Sequence, residues 1–365
     1  MIIGKAVIPG APAPDEPSAT GIYGVSWDGT STTAWTRTDA SATFSDPVPY
    51  VSGASSYGSP FDNLSPWKDM EIVEDSEAGT MVKIPKFWYK LSQNGSGMSI
   101  QISDGPQDGF SVCPACMDRG DGNGERDYIL VGRYHCASDY KSKTGVKPGA
   151  SKTRSEFRSG IHGLGTKVWQ MDFATRFTIW LLYLVEFADW NSQAKIGYGC
   201  GNKSATENMG YTDSMPYHTG TTKSSRTTYG VSTQYRYIEG LWDNVYDWID
   251  GCYYNSSGLN IITNPSSFSD SSGGTAVVVP SSGFPTKFTV EDISGTFPMF
   301  VATTASGGSN TTYSCDIWSY GSSYLYLYGG GGYYQNLYLG LFFVNCDGGA
   351  SYSDALIGSR SMKLP

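Results

Sequence analysis

The residue types that could do chemistry are few in this 365-residue chain, and the first pattern to weigh is a CxxC pair. Cys113 and Cys116 have the spacing of a zinc-binding or thiol-exchange motif. Neither a second CxxC nor a nearby pair of histidines completes a zinc site, so a turn around Pro114 is favoured. The seven cysteines are odd in number and scattered, unlike a small disulfide scaffold, and most are interpreted as free thiols.

A second candidate is the acidic loop MDRGDGNGERD (117–127), whose side-chain oxygens could bind calcium. Arg126 and Gly132 stand where a helix–loop–helix calcium site has Gly and a bidentate Glu, so a solvated Gly-rich turn is favoured. The three histidines, His135, His162 and His218, are widely spaced, and no G-x-S-x-G motif marks a nucleophile. The sequence therefore predicts no metal site, no cofactor and no catalytic residue.

The composition argues against several classes of protein. Charged residues make up only 16% of the chain, whereas Gly (45), Tyr (26) and Trp (10) are abundant, which favours short strands and loops over long helices. The net charge of −9 argues against a nucleic-acid partner, because Lys and Arg supply the affinity for phosphate. The N-terminal apolar run is too short for a signal peptide, and the most apolar stretch, 177–185, is too short to span a membrane. We therefore expect synthesis in the cytoplasm without membrane insertion.

The elements that must position a site are mainly short strands. Alternation of apolar and polar residues predicts strands in three segments: 21–40, a hairpin about Asp28-Gly29; 81–103, two strands about a loop at 94–97; and 128–136. The Ser/Gly-rich stretch 51–60 predicts a boundary. We therefore expect an N-terminal attachment segment, 1–59, that carries the hairpin, and a ligand-binding domain over 60–365.

One helix is clear within residues 172–191. Seven apolar residues there fall on one face at helical spacing, namely Phe173, Phe177, Trp180, Leu181, Leu184, Val185 and Ala188. A shorter helix is predicted over 154–159, and the chain after residue 191 is rich in Gly, Thr, Tyr and Ser. The predicted fold class is α+β, with few helices and many loops.

The segment GLWDNVYDWIDG (240–251) places polar residues, above all Asn244, among apolar ones. A buried Asn or Asp there would need backbone partners, so the segment is typical of a loop held by side-chain hydrogen bonds. It resembles the GLxDMxGNVWEW motif of the formylglycine-generating enzyme (sulfatase-modifying factor) family, although Asp243, Tyr246 and Asp247 replace Gly, Trp and Glu. The resemblance implies a C-type lectin fold of that family's subtype. We expect the helix face that carries Phe173, Phe177, Trp180 and Leu184 to pack beneath this segment.

Other landmarks follow in the family's order: the helix end at 186–190, YGCGN at 198–202, the Gly segment at 329–332 and IGSR at 357–360. Oxidases of this family use a cysteine pair after the Gly segment, before a run of arginines, to bind copper. Residues 328–345 contain neither Cys nor Arg, and Cys315 comes too early and Cys346 too late. A catalytic relative is therefore kept only as the alternative, and we expect no enzyme.

The chain also resembles the variable proteins of diversity-generating retroelements, which use the same fold to display a diversified C-terminus. No Lys or Arg occurs from Phe288 to Ser359, and no Glu follows Glu291, while Tyr, Ser, Gly and Asn are dense. Mutagenesis of AAY codons to NNY gives Tyr, Ser, Gly and Asn but never Lys or Glu. Trp318 and Gln335 do not fit such codons and would be fixed or differently templated. The resemblance implies a variable region at about 313–358.

Physical reasoning also favours a binding surface in this region, because Tyr offers a large contact area at low entropic cost while Ser, Gly and Asn adapt around it. In residues 324–328, strand periodicity would place the tyrosines on one face and the leucines in the core. The residues predicted to share one exposed surface are Trp318, Ser319, Gly321, Tyr324, Tyr326, Gly332, Tyr334, Leu337, Leu339, Cys346, Asp347, Gly348 and Asp354. The residues predicted to form the scaffold between them are Leu325, Leu327, Asn336, Leu341, Phe342 and Ile357.

The resemblance implies a ligand- or receptor-binding display protein, specifically the receptor-binding protein of a phage tail that a retroelement diversifies. Its expected partners are a protein or glycan receptor on the host-cell surface and, through the N-terminus, structural proteins of the tail. Tail fibres are usually threefold, so we expect a homotrimer in the virion. A bacterial surface adhesin is the alternative with a different location.

Overall fold

The computed structural model describes residues 21–201, 203–222, 230, 232–277, 282–320, 326–334 and 337–365. It is 34% strand and 10% helix, which confirms a loop-rich α+β fold with few helices. Among the described residues, no helix is long and apolar enough to cross a membrane.

The helices are α1 (Arg154–His162), α2 (Phe173–Phe187) and α3 (Ser192–Lys195), with 3-10 turns at Trp67–Asp69 and Pro265–Ser267. The first twelve strands are β1 (Ile22–Trp27), β2 (Thr36–Asp39), β3 (Tyr50–Val51), β4 (Glu71–Asp75), β5 (Gly79–Pro85), β6 (Trp88–Asn94), β7 (Gly97–Ser103), β8 (Ser111–Val112), β9 (Tyr128–Gly132), β10 (Val168–Gln170), β11 (Gly220–Thr221) and β12 (Thr233–Tyr235). The others are β13 (Ile238–Glu239), β14 (Tyr246–Trp248), β15 (Cys252–Asn255), β16 (Gly258–Ile261), β17 (Thr275–Val277), β18 (Lys287–Glu291), β19 (Met299–Thr304), β20 (Trp318–Tyr320), β21 (Tyr326–Gly329), β22 (Val344–Gly348), β23 (Ile357–Ser359) and β24 (Ser361–Lys363).

The strands form several small sheets. Two five-stranded sheets have the orders β2-β1-β7-β6-β8 and β10-β24-β9-β5-β4, and a four-stranded sheet has the order β13-β12-β11-β3. A further five-stranded sheet, β20-β22-β21-β14-β23, joins the 240–251 motif to the C-terminal strands. The strands β15-β16-β17 and the hairpin β18-β19 complete the set.

The sequence patterns located the N-terminal hairpins, but the first hairpin is not a separate attachment segment. β6 and β7 pair antiparallel about a turn at 95–96, as predicted. β1 pairs with β2 across a longer connection than the expected Asp28-Gly29 turn, and it also pairs with β7. Trp27 packs edge-on against Trp190 at 5.9 Å between ring centroids, so this hairpin belongs to the main core. Residues 1–20 of the predicted attachment segment lie outside the described residues, and its last part contains β3, which pairs with β11 of a later segment.

Helix α2 is the centre of that core. The side chain of Asp172 accepts a hydrogen bond from the backbone of Thr175 at 2.9 Å and so caps the first turn. The helix ends at Phe187 rather than at 191, because Ala188 adopts a left-handed conformation with φ of 50°. Every residue of α2 is buried, so the helix is covered on all sides rather than on the one predicted face.

The aromatic face of α2 packs mainly against the later strands, which corrects the expectation that it lies beneath the 240–251 motif. Trp180 stacks on Phe300 at 6.1 Å and contacts Trp318 and Phe342 at 6.1 and 5.5 Å. The indole of Trp180 also donates to the carbonyl of Leu341 at 2.9 Å. Large rings of the β18–β19 region and of β20 therefore fill the space that the motif was expected to fill.

The 240–251 motif is held by buried polar groups, as its composition indicated. The carboxylate of Asp243 accepts from the backbone of Thr233 at 2.8 Å, and burial raises the pKa of Asp243 to about 6. The amide of Asn244 bonds in both directions to the backbone of Glu207, at 2.9 and 3.0 Å. The motif is therefore a loop fixed by side-chain to backbone hydrogen bonds.

Asp247 joins this motif to distant parts of the chain. Its carboxylate accepts from Nδ1 of His135 at 2.9 Å and pairs with Arg360 at 3.3 Å. Burial alone would raise the pKa of Asp247, but His135 and Arg360 outweigh it and hold that pKa below the usual value. Asp247, which replaces the Glu of the related motif, is thus the acceptor at the centre of a buried network.

Replacing Trp180 with Ala should lower the free energy of unfolding by roughly 3–5 kcal/mol, because the substitution removes a fully buried indole and leaves a cavity. Urea denaturation followed by circular dichroism measures the change. Tyr334→Ala, at a side chain that is 73% exposed, is the control and should cost about 0.5 kcal/mol or less. Equal stability of the two variants would contradict the placement of α2 in the core.

Candidate ligand-binding surface

Six of the thirteen predicted site residues lie on one sheet, which we call the display sheet. It is formed by Tyr246–Trp248, Trp318–Tyr320, Tyr326–Gly329, Val344–Gly348 and Ile357–Ser359. β14 lies inside it, antiparallel to β21 and parallel to β23. β22 pairs antiparallel with β21 and parallel with β20. The motif and the C-terminal region, which sequence reasoning treated separately, are therefore parts of one sheet.

The predicted surface residues divide into three groups. Those at least partly exposed are Ser319, Tyr334, Leu337, Asp347 and Asp354, with Tyr334 at 73% and Leu337 at 40%. Those found buried are Trp318, Tyr326, Gly332, Leu339, Cys346 and Gly348. Gly321 and Tyr324 lie outside the described residues. The prediction of a single exposed surface is therefore wrong for six of these positions.

The cause of this error is that the display sheet is covered on both faces. Leu327 points into the main core, as predicted, whereas Tyr326 and Tyr328 point into a second buried cluster on the other face. The guanidinium of Arg154 covers the ring of Tyr326 at 4.1 Å, and that Arg pairs with Asp270 at 2.6 Å. Alternation along β21 thus separates two cores rather than a core from solvent.

Most of the predicted scaffold residues are buried, as expected. Leu341, Phe342 and Ile357 are buried together with Leu327, and Leu325 and Asn336 lie outside the described residues. Trp318 does not fit an NNY codon and so was expected to differ from the variable positions. It is part of this scaffold, and its ring lies 5.7 Å from that of Phe288.

A cluster of aromatic rings and one carboxylate reaches the surface at this sheet. The hydroxyl of Tyr328 donates to Asp347 at 2.7 Å, and the ring of Tyr328 packs edge-on against Tyr246 and Trp248 at 5.2 and 5.4 Å. Burial, reinforced by the bond to Asp347, raises the pKa of Tyr328 well above its ordinary value. Trp248 contacts Tyr352 at 6.2 Å, and Tyr352 is 39% exposed.

Sequence reasoning missed Tyr352 as a part of this surface, and it missed Tyr246 and Trp248 as buried rings that pack beneath it. Tyr246 and Trp248 belong to the motif, which was treated only as a marker of the fold. Tyr352 lies in the segment GGASYSD (348–354), whose Gly, Ser and Tyr content is the signal that could have identified it.

Buried polar groups fix the loop that leads to this surface. Asp316 accepts hydrogen bonds from the backbone N–H groups of Gly340 and Phe342 at 2.8 and 2.9 Å. Burial raises the pKa of Asp316 to about 7, although these two bonds oppose the shift. The carbonyl of Leu341 accepts from Arg176 at 2.8 Å, and burial lowers the pKa of Arg176 to about 10. These bonds fix the backbone of residues 340–342, which are buried and follow the exposed Leu337 in the chain.

The cysteines and the acidic loop, which the sequence offered as candidate metal or reaction sites, make structural contacts. Among the described residues, no group of three or more His, Cys, Asp and Glu side chains could hold a metal ion. Cys113 and Cys116 are both buried in the core, and Asp121 of the acidic loop pairs with Arg126. Cys315 is buried as well, and burial raises the pKa of its thiol well above the ordinary value.

The three histidines are likewise bound to neighbouring groups. His135 bonds to Asp247 as described, His162 stacks on Trp169 at 4.0 Å, and His218 contacts Asp62 at 3.0 Å. The arrangement at the display sheet can offer aromatic contact and hydrogen bonds to a ligand.

Neither a protein-family model nor a curated protein matches this chain. The functional assignment therefore depends on the geometry of the display sheet and its loops.

Proposed function

We propose that the chain is a ligand-binding display protein with a C-type lectin fold of the formylglycine-generating-enzyme subtype. The observation that carries the proposal is the exposure of Tyr334, Leu337, Asp347 and Tyr352, which lie on or near β21 and β22 of the display sheet in the chain, in a stretch that lacks Lys and Arg. Tyrosines with flexible polar neighbours are the residues that binding loops use for varied ligands. The buried residues of the display sheet support this role, because they supply its stability. The exposed side chains can then change at small cost to the free energy of unfolding.

Binding rather than catalysis is part of the proposal. An oxidase of the related family would need a reactive cysteine pair, and the thiols of Cys315 and Cys346 are buried with their pKa values raised by that burial. A thiolate is the form that binds metal or attacks, so these thiols suit packing better than chemistry. The alternative, a catalytic relative, predicts copper-dependent oxygen consumption, and we expect none.

We further propose that the protein is the receptor-binding part of a phage tail, diversified by a retroelement, with a host-surface protein or glycan as its partner. Residues 1–20 would then contact tail structural proteins. A bacterial surface adhesin is the competing placement. A reverse-transcriptase gene and a near-copy of the 313–358 coding region beside this gene would support diversification, and a neighbourhood with neither would contradict it.

The triple variant Tyr334→Ser, Leu337→Ser, Tyr352→Ser should lose binding, because all three side chains are at least 39% exposed at the proposed surface. Labelled protein on a panel of intact bacterial strains measures the loss on each strain that the unmodified protein binds. The melting temperature should hardly change, since exposed substitutions cost about 0.5 kcal/mol or less each.

Two controls accompany this variant. Val146→Ser with Tyr211→Ser changes side chains of similar exposure elsewhere and should bind normally. Tyr326→Ser changes a buried side chain under Arg154 and should cost more than about 2 kcal/mol of stability. Undiminished binding by the triple variant would refute the display surface.

The tail proposal also predicts a homotrimer, because threefold repetition converts weak single contacts into avidity. Light scattering coupled to size exclusion should give three times the monomer mass at micromolar concentration. A monomer alone under those conditions would contradict this prediction.

A further inference from the structure

Five aromatic rings outside the display sheet form a continuous series of contacts. The rings of Tyr50, Tyr57, Tyr217, His218 and Tyr237 follow one another with centroid separations of 5.3, 5.3, 4.1 and 5.1 Å. We call this series the tyrosine lane. Tyr57 is 38% exposed and the other four rings are half-buried, so the series borders solvent.

The small sheet β13-β12-β11-β3 positions the lane. Tyr50 lies on β3, and the backbone bonds between Val48 and Gly58, at 2.8 and 2.9 Å, hold the next loop with Tyr57 beside it. Tyr217 and His218 come just before β11, and Tyr237 lies in the turn between β12 and β13.

The turn that presents Tyr237 is unusual and firmly anchored. Arg236 and Tyr237 both have positive φ, 45° and 69°, which non-glycine residues adopt at a cost. Arg236 is buried and forms ion pairs with Glu186 and with Asp62, the latter at 2.9 Å. The backbone N–H of Tyr237 donates to the carbonyl of His218 at 2.9 Å. The fold therefore holds Tyr237 in a strained backbone conformation, with its ring packed against the edge of the main core.

A polar hollow of about 140 Å³ lies at the Tyr237 end of the lane. Its walls include Arg133, Thr212, Asp213 and Gln234 as well as three lane rings. Nε2 of Gln234 donates to the carbonyl of Tyr217 at 3.2 Å, and Thr212 donates to Gln234 at 3.0 Å. These hydrogen bonds fix the polar groups before any ligand arrives, which lowers the entropic cost of binding.

A second cleft, of about 290 Å³, lies beside Tyr57, the second ring of the lane. Ser45, Asp46, Ser56 and Ser59 supply oxygen atoms along it, and Val48 and Tyr57 supply exposed apolar surface. The lane thus joins two hollows, and each combines aromatic or apolar surface with hydrogen-bonding groups.

We propose that the tyrosine lane is a binding site for a neutral oligosaccharide chain, separate from the display sheet. A pyranose has an apolar C–H face that packs on aromatic rings and a rim of hydroxyls that both donate and accept hydrogen bonds. The lane places partly exposed aromatic rings beside two hollows that carry hydrogen-bonding groups, which is the combination that such a chain requires.

The charges at the lane favour a neutral ligand. The carboxylate of Asp62 is paired with Arg236 at 2.9 Å, and that of Asp213 is paired with Arg133 at 3.2 Å. A charged ligand would have to compete with these pairs, whereas a neutral ligand would leave them intact. A proline-rich peptide also binds aromatic grooves, but it needs apolar pockets, and the hollow at Tyr237 is lined mainly by polar groups.

The test is calorimetric titration of the full chain with four neutral hexasaccharides: maltohexaose, laminarihexaose, cellohexaose and chitohexaose. At least one should bind saturably, and Tyr57→Ala should weaken it by about tenfold or more, the equivalent of 1.4 kcal/mol. Tyr211→Ala removes a tyrosine of equal exposure, 38%, outside the lane and should leave affinity within about twofold. Tyr334→Ser, on the display surface, should have no effect.

Three results would overturn the proposal. The first is no saturable binding of any of the four sugars. The second is saccharide binding that Tyr334→Ser abolishes and Tyr57→Ala leaves intact, which would place the sugar at the display surface. The third is binding of decaproline in the absence of saccharide binding. Because the lane shares no residue with the display sheet, failure here leaves the proposed display function standing.

Discussion

The buried guanidinium of Arg360 ties together parts of the chain that lie more than two hundred residues apart. It pairs with Asp247 of the 240–251 motif and donates to the carbonyls of Gly132, Arg133 and Glu239 at 2.8, 3.0 and 2.8 Å. Removing Asp247 would leave the guanidinium of Arg360 buried without its ion pair, a cost of roughly 3–5 kcal/mol. The end of β9, the start of the motif and the C-terminus can therefore come together in only one arrangement.

The same kind of constraint shapes the display sheet. Arg154 lies over the ring of Tyr326 on one face of the sheet, and Asp316 holds the backbone of the loop around 338–343. The sheet is therefore fixed by these ionisable side chains as well as by apolar packing. Only loop residues and strand ends remain for solvent contact. A surface built in this way separates the residues that can change, such as Tyr334, from those that determine stability, such as Trp318.

Local patterns were sufficient to predict the elements but not their surroundings. The 3.6-residue period gave helix α2, and alternation gave the β6–β7 hairpin, because both depend on neighbours in sequence. Exposure along β21 depends instead on Arg154, more than 170 residues away, and no local pattern encodes it. The tyrosine lane was missed for the same reason, since its rings come from three separated segments.

The two proposed surfaces differ in how they could tolerate change. Tyr237 of the lane lies on a strained turn held by the ion pairs of Arg236, so a substitution there disturbs backbone and charge together. Tyr334 and Tyr352 extend from loops whose backbone is fixed elsewhere, so their replacement alters only the contact with a ligand. A constant, weak contact with a common sugar would raise the local concentration of ligand at the variable surface, and a trimer would multiply this effect. A protein that keeps one surface constant can thus sample new ligands at the other without losing its initial attachment.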